Sequence, residues 1–210
     1  MTPQVEIFAP GGLEKVRLRG IGRLFPNRAH CLLESMRYRI RDFSLPPEID
    51  GLVISAGGVG TTSVLDHLSR HIRTNEPSDS DRLKHRRQPP KNDARSIPVL
   101  LIVGDPLRIV ESLTRRDYLV PNAIRLGCFE FFLLPKFLNL HVRAFNSAIK
   151  RQSALWQLKY NNLLVLDYSE LFESPDLIAT HFKIHDPSFI QNFPTRNSGS
   201  TLDLLEQLRN

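Results

Sequence analysis

The chain has 210 residues, of which 41% are hydrophobic and 24% charged, so it can bury the core of one domain and is neither disordered nor fibrous. Its formal net charge of +6, from 28 basic and 22 acidic side chains, favours polyanionic partners: nucleotide phosphates, sulfated or acidic glycans, nucleic acid or anionic lipid. No run approaches the roughly 20 apolar residues of a membrane-spanning helix. The first residues also lack a signal-peptide pattern, and we therefore expect a cytoplasmic protein without a membrane span.

Residues 1–50 hold the weakest pattern of the chain. Segments 5–9 and 15–19 have the composition of strands, and the turn signal Pro10-Gly11-Gly12 separates them. The pattern predicts a small β-rich N-terminal extension, either part of the same domain or an edge added to its main sheet.

From residue 51 onward, apolar runs alternate with helical patterns. Short apolar runs predict buried strands at 51–55, 98–103 and 163–166. Helical spacing predicts helices at 61–72, 107–116 and 135–160, and a further helix from Ser169 through Phe172 and Leu177. Asp105 and Pro106 are a typical N-cap and first helical residue. This alternation predicts an α/β domain over 51–210, with a mainly parallel, doubly wound sheet.

The first predicted strand runs into the glycine-rich segment Ser55-Ala-Gly-Gly-Val-Gly-Thr-Thr-Ser63. Glycines let a backbone turn tightly and bring its N–H groups close to an anion, and the following helix adds the positive end of its dipole. Thr61 stands where nucleoside triphosphatases of the P-loop type have their lysine. The segment therefore predicts a phosphate-binding loop of another kind, or a turn that only packs a helix onto a strand.

The long polar segment 73–96 carries a basic run with one acidic residue, Asp93. Its cations are Arg82, Lys84, Arg86, Arg87, Lys91 and Arg95. Loops of this length in a compact domain are usually functional or disordered. An anion-binding role and a solvated, mobile loop are both open interpretations of this run.

Five segments then stand in a shared order. They are Ser55–Ser63 with its Gly60-Thr-Thr core, Asp81-Arg-Leu-Lys84-His85, Val103-Gly-Asp-Pro-Leu-Arg-Ile-Val-Glu-Ser112, Val165-Leu-Asp-Tyr-Ser-Glu-Leu171 and Arg196-Asn-Ser-Gly199. In this order they resemble the motifs of sulfotransferases, which move a sulfuryl group from 3′-phosphoadenosine 5′-phosphosulfate to an acceptor. The resemblance covers residues 51–200 and implies a P-loop-like sulfotransferase fold.

The resemblance also implies the roles of individual residues. Lys84 would stabilise the leaving group and His85 would be the catalytic base. The donor-binding residues would be Gly57, Gly58, Val59, Gly60, Thr61, Thr62, Ser63, Arg108, Ser112, Arg116, Arg196 and Gly199. The imidazole of His85 is suited to the task because it ordinarily titrates near neutral pH. The implied partners are the nucleotide donor and a hydroxyl acceptor such as a carbohydrate, and the reaction requires no metal.

Two positions depart from the family pattern. Gly58 stands where the family has a lysine at the phosphosulfate bridge, and Gly104 stands where it has an arginine for the 3′-phosphate. Each missing charged hydrogen bond is worth about 1.5 to 3 kcal/mol. Either the donor differs from the usual one, or other cations substitute: Lys84, Arg108, Arg115, Arg116 and Arg196.

Two other functions stay open. One is a phosphotransferase that uses magnesium-ATP, with Asp105 at a strand end as the metal ligand, although an N-cap role is favoured for this residue. The other is a module that holds a nucleotide or an acidic partner without catalysis. Nucleic acid is not predicted as a partner, because aromatic residues do not interleave with the basic run.

Histidine and cysteine spacing gives no recognised metal motif. His67 and His71, like His181 and His185, stand four residues apart without a suitably spaced acidic or cysteine partner, which favours surface or capping roles. The two cysteines, at positions 31 and 128, are predicted to be free, buried thiols.

Overall fold

The computed structural model describes residues 5–9, 12–16, 45–90, 96–116, 118–128 and 138–196. Its strands are β1 (Val5–Ala9), β2 (Gly12–Val16), β3 (Leu52–Ser55), β4 (Val99–Val103) and β5 (Leu163–Asp167). The helices in these ranges are α1 (Thr61–Leu68), α2 (Pro106–Arg115), α3 (Leu119–Arg125), α4 (Leu138–Lys159), α5 (Tyr168–Leu171), α6 (Pro175–Phe182) and α7 (Pro187–Gln191). None of these helices has both the length and the hydropathy to cross a bilayer.

Strands β3, β4 and β5 form a parallel sheet in which they lie side by side in chain order. Side chains alternate between the two faces of a strand. One face joins Val53 and Leu100 to a buried cluster with residues of α1, α2 and α6. The other face joins Ile54 and Leu101 to Trp156 of α4. The sheet is therefore covered on both faces, as its unbroken apolar runs predict, and the α/β class is confirmed.

The N-terminal strands pair with each other. β1 and β2 form a separate antiparallel hairpin, in which Val5 lies opposite Val16 and Ala9 opposite Gly12. The predicted second strand is displaced, because the pairing begins at the glycine that the pattern assigned to the turn. Among the described strands, the alternative of an edge added to the main sheet is wrong.

Two predicted helices differ in extent. The helix expected over 61–72 ends at Leu68, after which the chain turns so that Arg73 O accepts hydrogen bonds from the backbone N–H groups of Asp50 and Gly51 at the start of β3. The helix expected to continue from Ser169 is two helices, α5 and α6. Pro175 begins the second of them, since proline lacks the N–H that a helix interior requires.

The free edge of β3 is covered by the segment 75–86, here called the edge loop. The side chain of Asn75 pairs with Val53 as a neighbouring strand would, accepting from its N–H (2.8 Å) and donating to its carbonyl (3.0 Å). Two residues along, Ser55 N donates to Lys84 O (3.0 Å), and His85 Nδ1 donates to Ser55 O (3.1 Å). The outward backbone groups of β3 are thus satisfied without another strand.

Candidate anion-binding site

The glycine loop, residues 55–61, leaves the carboxyl end of β3 and enters α1. Gly57, Gly58 and Gly60 have φ angles of 96°, 75° and 67°, a region that residues with a Cβ rarely adopt. Gly60 is the N-cap of α1, and no side chain caps this helix. The first amides of α1 therefore keep their capacity to bind an anion.

Ser55 ties the two ends of this loop together. Its Oγ accepts hydrogen bonds from the Gly57 N–H (3.0 Å) and from Thr61 Oγ1 (2.7 Å). Ser55 and Thr61 are both buried, whereas Thr62 and Ser63 are exposed. Of the three hydroxyls predicted to contact the donor, that of Thr61 is used inside the loop, and those of Thr62 and Ser63 belong to exposed residues.

Packing explains the glycine at position 58. A Cβ on Gly58 would lie 3.3 Å from the Ile109 carbonyl oxygen of α2, and the positive φ adds strain for any side chain. A lysine at this position is disfavoured by both effects. Val59 beside it is 2% exposed, so only its backbone can serve a ligand.

Lys84 brings a cation to the loop from another part of the chain. Its Nζ donates to Thr62 Oγ1 (3.1 Å) and to Pro77 O (2.5 Å), and the residue is 6% exposed. Burial lowers the pKa of Lys84, while the nearby carboxylates of Asp79, Asp66 and Asp81 act in the opposite direction. The structure thus brings together the predicted Lys84 and Thr62, two residues that are 22 positions apart.

His85 differs from the sequence-based expectation. It is only 9% exposed, and burial lowers its pKa to about 3. The prediction that His85 titrates near neutral pH is therefore wrong. Its Nδ1–H binds Ser55 O, a carbonyl that Gln152 Nε2 also approaches (3.4 Å). The imidazole is neutral at physiological pH and packs beneath the glycine loop.

Three of the predicted donor-binding residues lie on α2 or at its C-cap: Arg108, Ser112 and Arg116. Ser112 Cβ is 3.5 Å from the position of a Cβ on Gly58, and Ser112 accepts hydrogen bonds from Arg116 at its carbonyl (3.1 Å) and hydroxyl (3.2 Å). Ser112 therefore borders the glycine loop, and Arg116 contacts Ser112. Arg108 lies 3.9 Å from the carboxylate of Asp105, and both are exposed. Its guanidinium has a partner within its own helix turn.

Arg196 contacts an aromatic ring that packs against Gly60. Its guanidinium lies over the ring of Tyr168, 5.4 Å from the centroid. The same ring edge is 3.1 Å from where a Cβ on Gly60 would be. Tyr168 thus joins Arg196 to the N-terminus of α1, a contact that no sequence signal indicated. Gly199 lies outside the described residues.

Two strand-end carboxylates act as helix caps. Asp105 accepts from Leu107 N (3.1 Å), and Asp167 accepts from Ser169 N (2.9 Å). The N-cap interpretation of Asp105 is confirmed. In the described ranges, no group of three or more histidine, cysteine, aspartate or glutamate residues could hold a metal ion.

Three of the four paired histidines contact another element, whereas His185 is exposed, as predicted. His67 is buried and donates to Phe189 O of α7 (2.8 Å), and burial lowers its pKa. His71 lies 3.4 Å from Asp186, and His181 donates to Val99 O (3.1 Å). The surface interpretation is wrong for His67, because its four-residue spacing to His71 turns both rings toward α7. Cys128 is a free, buried thiol, as predicted, and Cys31 lies outside the described residues.

The fold and the site together define an α/β protein in which a glycine loop connects a strand to a helix. A buried lysine lies at the start of that helix. No family model, curated protein or solved structure matches the chain.

Proposed function

We propose that the glycine loop binds the 5′-phosphosulfate of 3′-phosphoadenosine 5′-phosphosulfate, and that the protein is a sulfotransferase acting on a hydroxyl acceptor such as a carbohydrate. The observation that carries this proposal is the ammonium of Lys84, 3.1 Å from Thr62 Oγ1 at the uncapped start of α1. It supplies the cation that Gly58 cannot. The proposal extends to the fold, which we infer to be a doubly wound sheet of the P-loop type.

The donor would lie across the loop between two other cations. Amides of Gly60, Thr61 and Thr62 and the ammonium of Lys84 would bind the sulfuryl end. Two arginines are candidates for the 3′-phosphate in place of the arginine absent at position 104. They are Arg116, which contacts Ser112, and Arg196, which lies over Tyr168.

In the proposed reaction the acceptor oxygen attacks sulfur and the bond from sulfur to the bridging oxygen breaks. The products are a sulfate ester and 3′-phosphoadenosine 5′-phosphate. Lys84 would stabilise the charge that develops on the bridging oxygen, which is where a preorganised cation has its largest effect. If neutral His85 accepts the proton of the acceptor, the acid limb of kcat/KM lies near its pKa of about 3 and not near neutral pH.

Calorimetric titration with 3′-phosphoadenosine 5′-phosphate tests the binding half of this proposal. We expect the native protein to bind it, and Lys84→Met to weaken binding roughly 10- to 100-fold, the value of one charged hydrogen bond. Lys150→Met, at an exposed lysine of α4, is the matched control and should change little. No binding by the native protein, or equal loss in both variants, contradicts the proposal. Binding of magnesium-ATP instead would indicate a phosphotransferase.

A non-catalytic nucleotide-binding module is the second candidate, and the burial of His85 favours it. A base with so low a pKa accepts protons weakly, whereas the binding groups of the loop do not depend on it. Transfer of labelled sulfate to a panel of hydroxyl acceptors separates the two candidates. If catalysis occurs through His85, His85→Ala abolishes turnover and leaves donor affinity within a few-fold of the native value.

A further inference from the structure

Asp79 lies at the turn of the edge loop that leads to Lys84. Its Oδ1 accepts from the Lys84 backbone N–H (3.0 Å), and its Oδ2 accepts from Arg125 Nη1 of α3 (2.6 Å). The Asp79 side chain is 8% exposed, and its φ of 62° places it in the left-handed region. A buried carboxylate in this backbone conformation costs free energy, so its two contacts must outweigh that cost.

These contacts fix the backbone of Lys84 from one side while the sheet fixes it from the other. Lys84 N–H donates to Asp79, and Lys84 O accepts from Ser55 N of β3 (3.0 Å). From this fixed backbone the Lys84 side chain extends to Thr62, where the glycine loop enters α1, and its Nζ donates to Thr62 Oγ1. The position of the ammonium is therefore set by the turn at Asp79 as much as by its own contacts.

Charge points to the same role. Among the groups that act on Lys84, Asp79 is the carboxylate with the largest effect, followed by Asp66 and Asp81, whereas Arg125 opposes them. Burial alone lowers the pKa of Lys84 and disfavours the ammonium, the form whose charge attracts an oxyanion. The carboxylate of Asp79 counteracts this effect.

We propose that Asp79 is a positioning residue that holds Lys84 against the glycine loop and keeps its amine protonated for an oxyanion. This inference rests on the proposed anion-binding function. It assigns a role to a residue that does not touch the ligand.

The variant Asp79→Asn removes the negative charge of Asp79 while keeping the backbone conformation of the turn. Asparagine tolerates a positive φ and keeps an oxygen that can accept from Lys84 N–H, but it removes the carboxylate that faces Arg125. Asp50→Asn is the matched control, because it neutralises an exposed carboxylate that pairs with Arg73 at 2.9 Å. Arg125→Met is a second variant with the opposite electrostatic sign, since it removes a cation that lowers the pKa of Lys84.

The first measurement needs no nucleotide. Acetic anhydride labels neutral amines, so the pH dependence of Lys84 acetylation in the folded protein, read by peptide mass spectrometry, reports its titration. We expect the midpoint to fall by about one pH unit in Asp79→Asn and to rise in Arg125→Met. It should stay at the native value in Asp50→Asn. A midpoint in Asp79→Asn equal to the native one overturns the inference.

The second measurement is the affinity for 3′-phosphoadenosine 5′-phosphate between pH 6 and 10. Asp79→Asn should weaken binding about tenfold at neutral pH, shift its alkaline limb to lower pH, and add little to Lys84→Met, because both act on the same ammonium. Unchanged affinity, or full additivity with Lys84→Met, overturns the inference. If the native protein does not bind this nucleotide, the proposed function fails, and the acetylation midpoint still decides the role of Asp79.

Discussion

Two loops meet at the carboxyl end of β3, and they differ in how their structure is specified. In the glycine loop, three left-handed backbone positions are occupied by glycine, so the conformation follows from residue type. In the edge loop, Asp79 and Arg82 adopt left-handed conformations without being glycine. Here hydrogen bonds within the loop, such as that from Lys84 N to Asp79, are supplemented by contacts with β3, the glycine loop and α3 made over 22 to 46 positions of sequence.

This difference separates local from tertiary specification. A substitution in the glycine loop should act through backbone strain, and one in the edge loop through loss of a partner far away in sequence. Substitutions at Asn75 and His85 in the edge loop and at Gly57 in the glycine loop should reveal these distinct responses, and Asp105 at the start of α2 provides a purely local comparison.

Asn75→Leu should destabilise the protein most. It removes both hydrogen bonds to the backbone of Val53, and two buried unpaired groups cost about 4 kcal/mol together. Asn192→Leu is the matched control, because this asparagine is exposed and its amide donates to Ser188 O within one helix turn. Urea denaturation gives both free energies of unfolding. Similar values for the two variants would mean that the edge of β3 does not need Asn75.

Gly57→Ala should lower the free energy of unfolding by about 3 kcal/mol. Alanine is strained at a φ of 96°, and its Cβ would lie 2.3 Å from Asn122 Nδ2. The Asn122 side chain would then lose its contact with Ala56 O. Gly104→Ala adds the same methyl group near the loop without a positive φ and should cost less. Thermal unfolding measures both. Equal losses would show that packing, not backbone conformation, selects glycine in this loop.

His85→Asn should change the pH dependence of stability. The pKa of His85 is about 3 in the folded protein, so below the unfolded-state value near 6.5 the unfolded chain takes up the proton first. The native protein therefore loses about 2 kcal/mol through this group by pH 5, and the loss continues until the pH reaches about 3. Asparagine can donate to Ser55 O but does not titrate. Its variant should lack this component of the loss, whereas His185→Asn, at an exposed site, should retain it.

Asp105→Ala should have the smallest effect, about 1 kcal/mol, because it removes one N-cap hydrogen bond to Leu107 N at the start of α2. Glu173→Ala, at an exposed residue between α5 and α6, is the control. Equilibrium unfolding of both variants checks the value. A cost above that of Gly57→Ala would mean that Asp105 has contacts beyond its local cap.

The fold was predictable where the signal lay within a short segment. Apolar runs predict β3, β4 and β5, and Asp105 with Pro106 predicts the start of α2. The helix α3 was missed, and the end of α1 was placed too late, since it depends on the chain returning to Asp50 through Arg73. Such a contact leaves no periodic pattern.

The sequence predicted which residues belong to the site better than it predicted how buried they are. Sequence order selects Lys84 and Thr62, and the structure places them in contact. The sequence alone gives no measure of how deeply a side chain is buried. For this reason His85 was expected to titrate near neutral pH. Asp79 and Tyr168 were missed as contributors, because their partners, Arg125 and Arg196, lie far from them in the chain.

The covered edge of β3 also bears on self-association. An exposed strand edge is a template on which a second chain can extend the sheet. In β3 this edge is already hydrogen-bonded, because its backbone groups pair with Asn75, Lys84 and His85. Opening of the edge loop would therefore release Lys84 from the glycine loop. The same opening would expose the unpaired backbone N–H and C=O groups of β3 to neighbouring molecules.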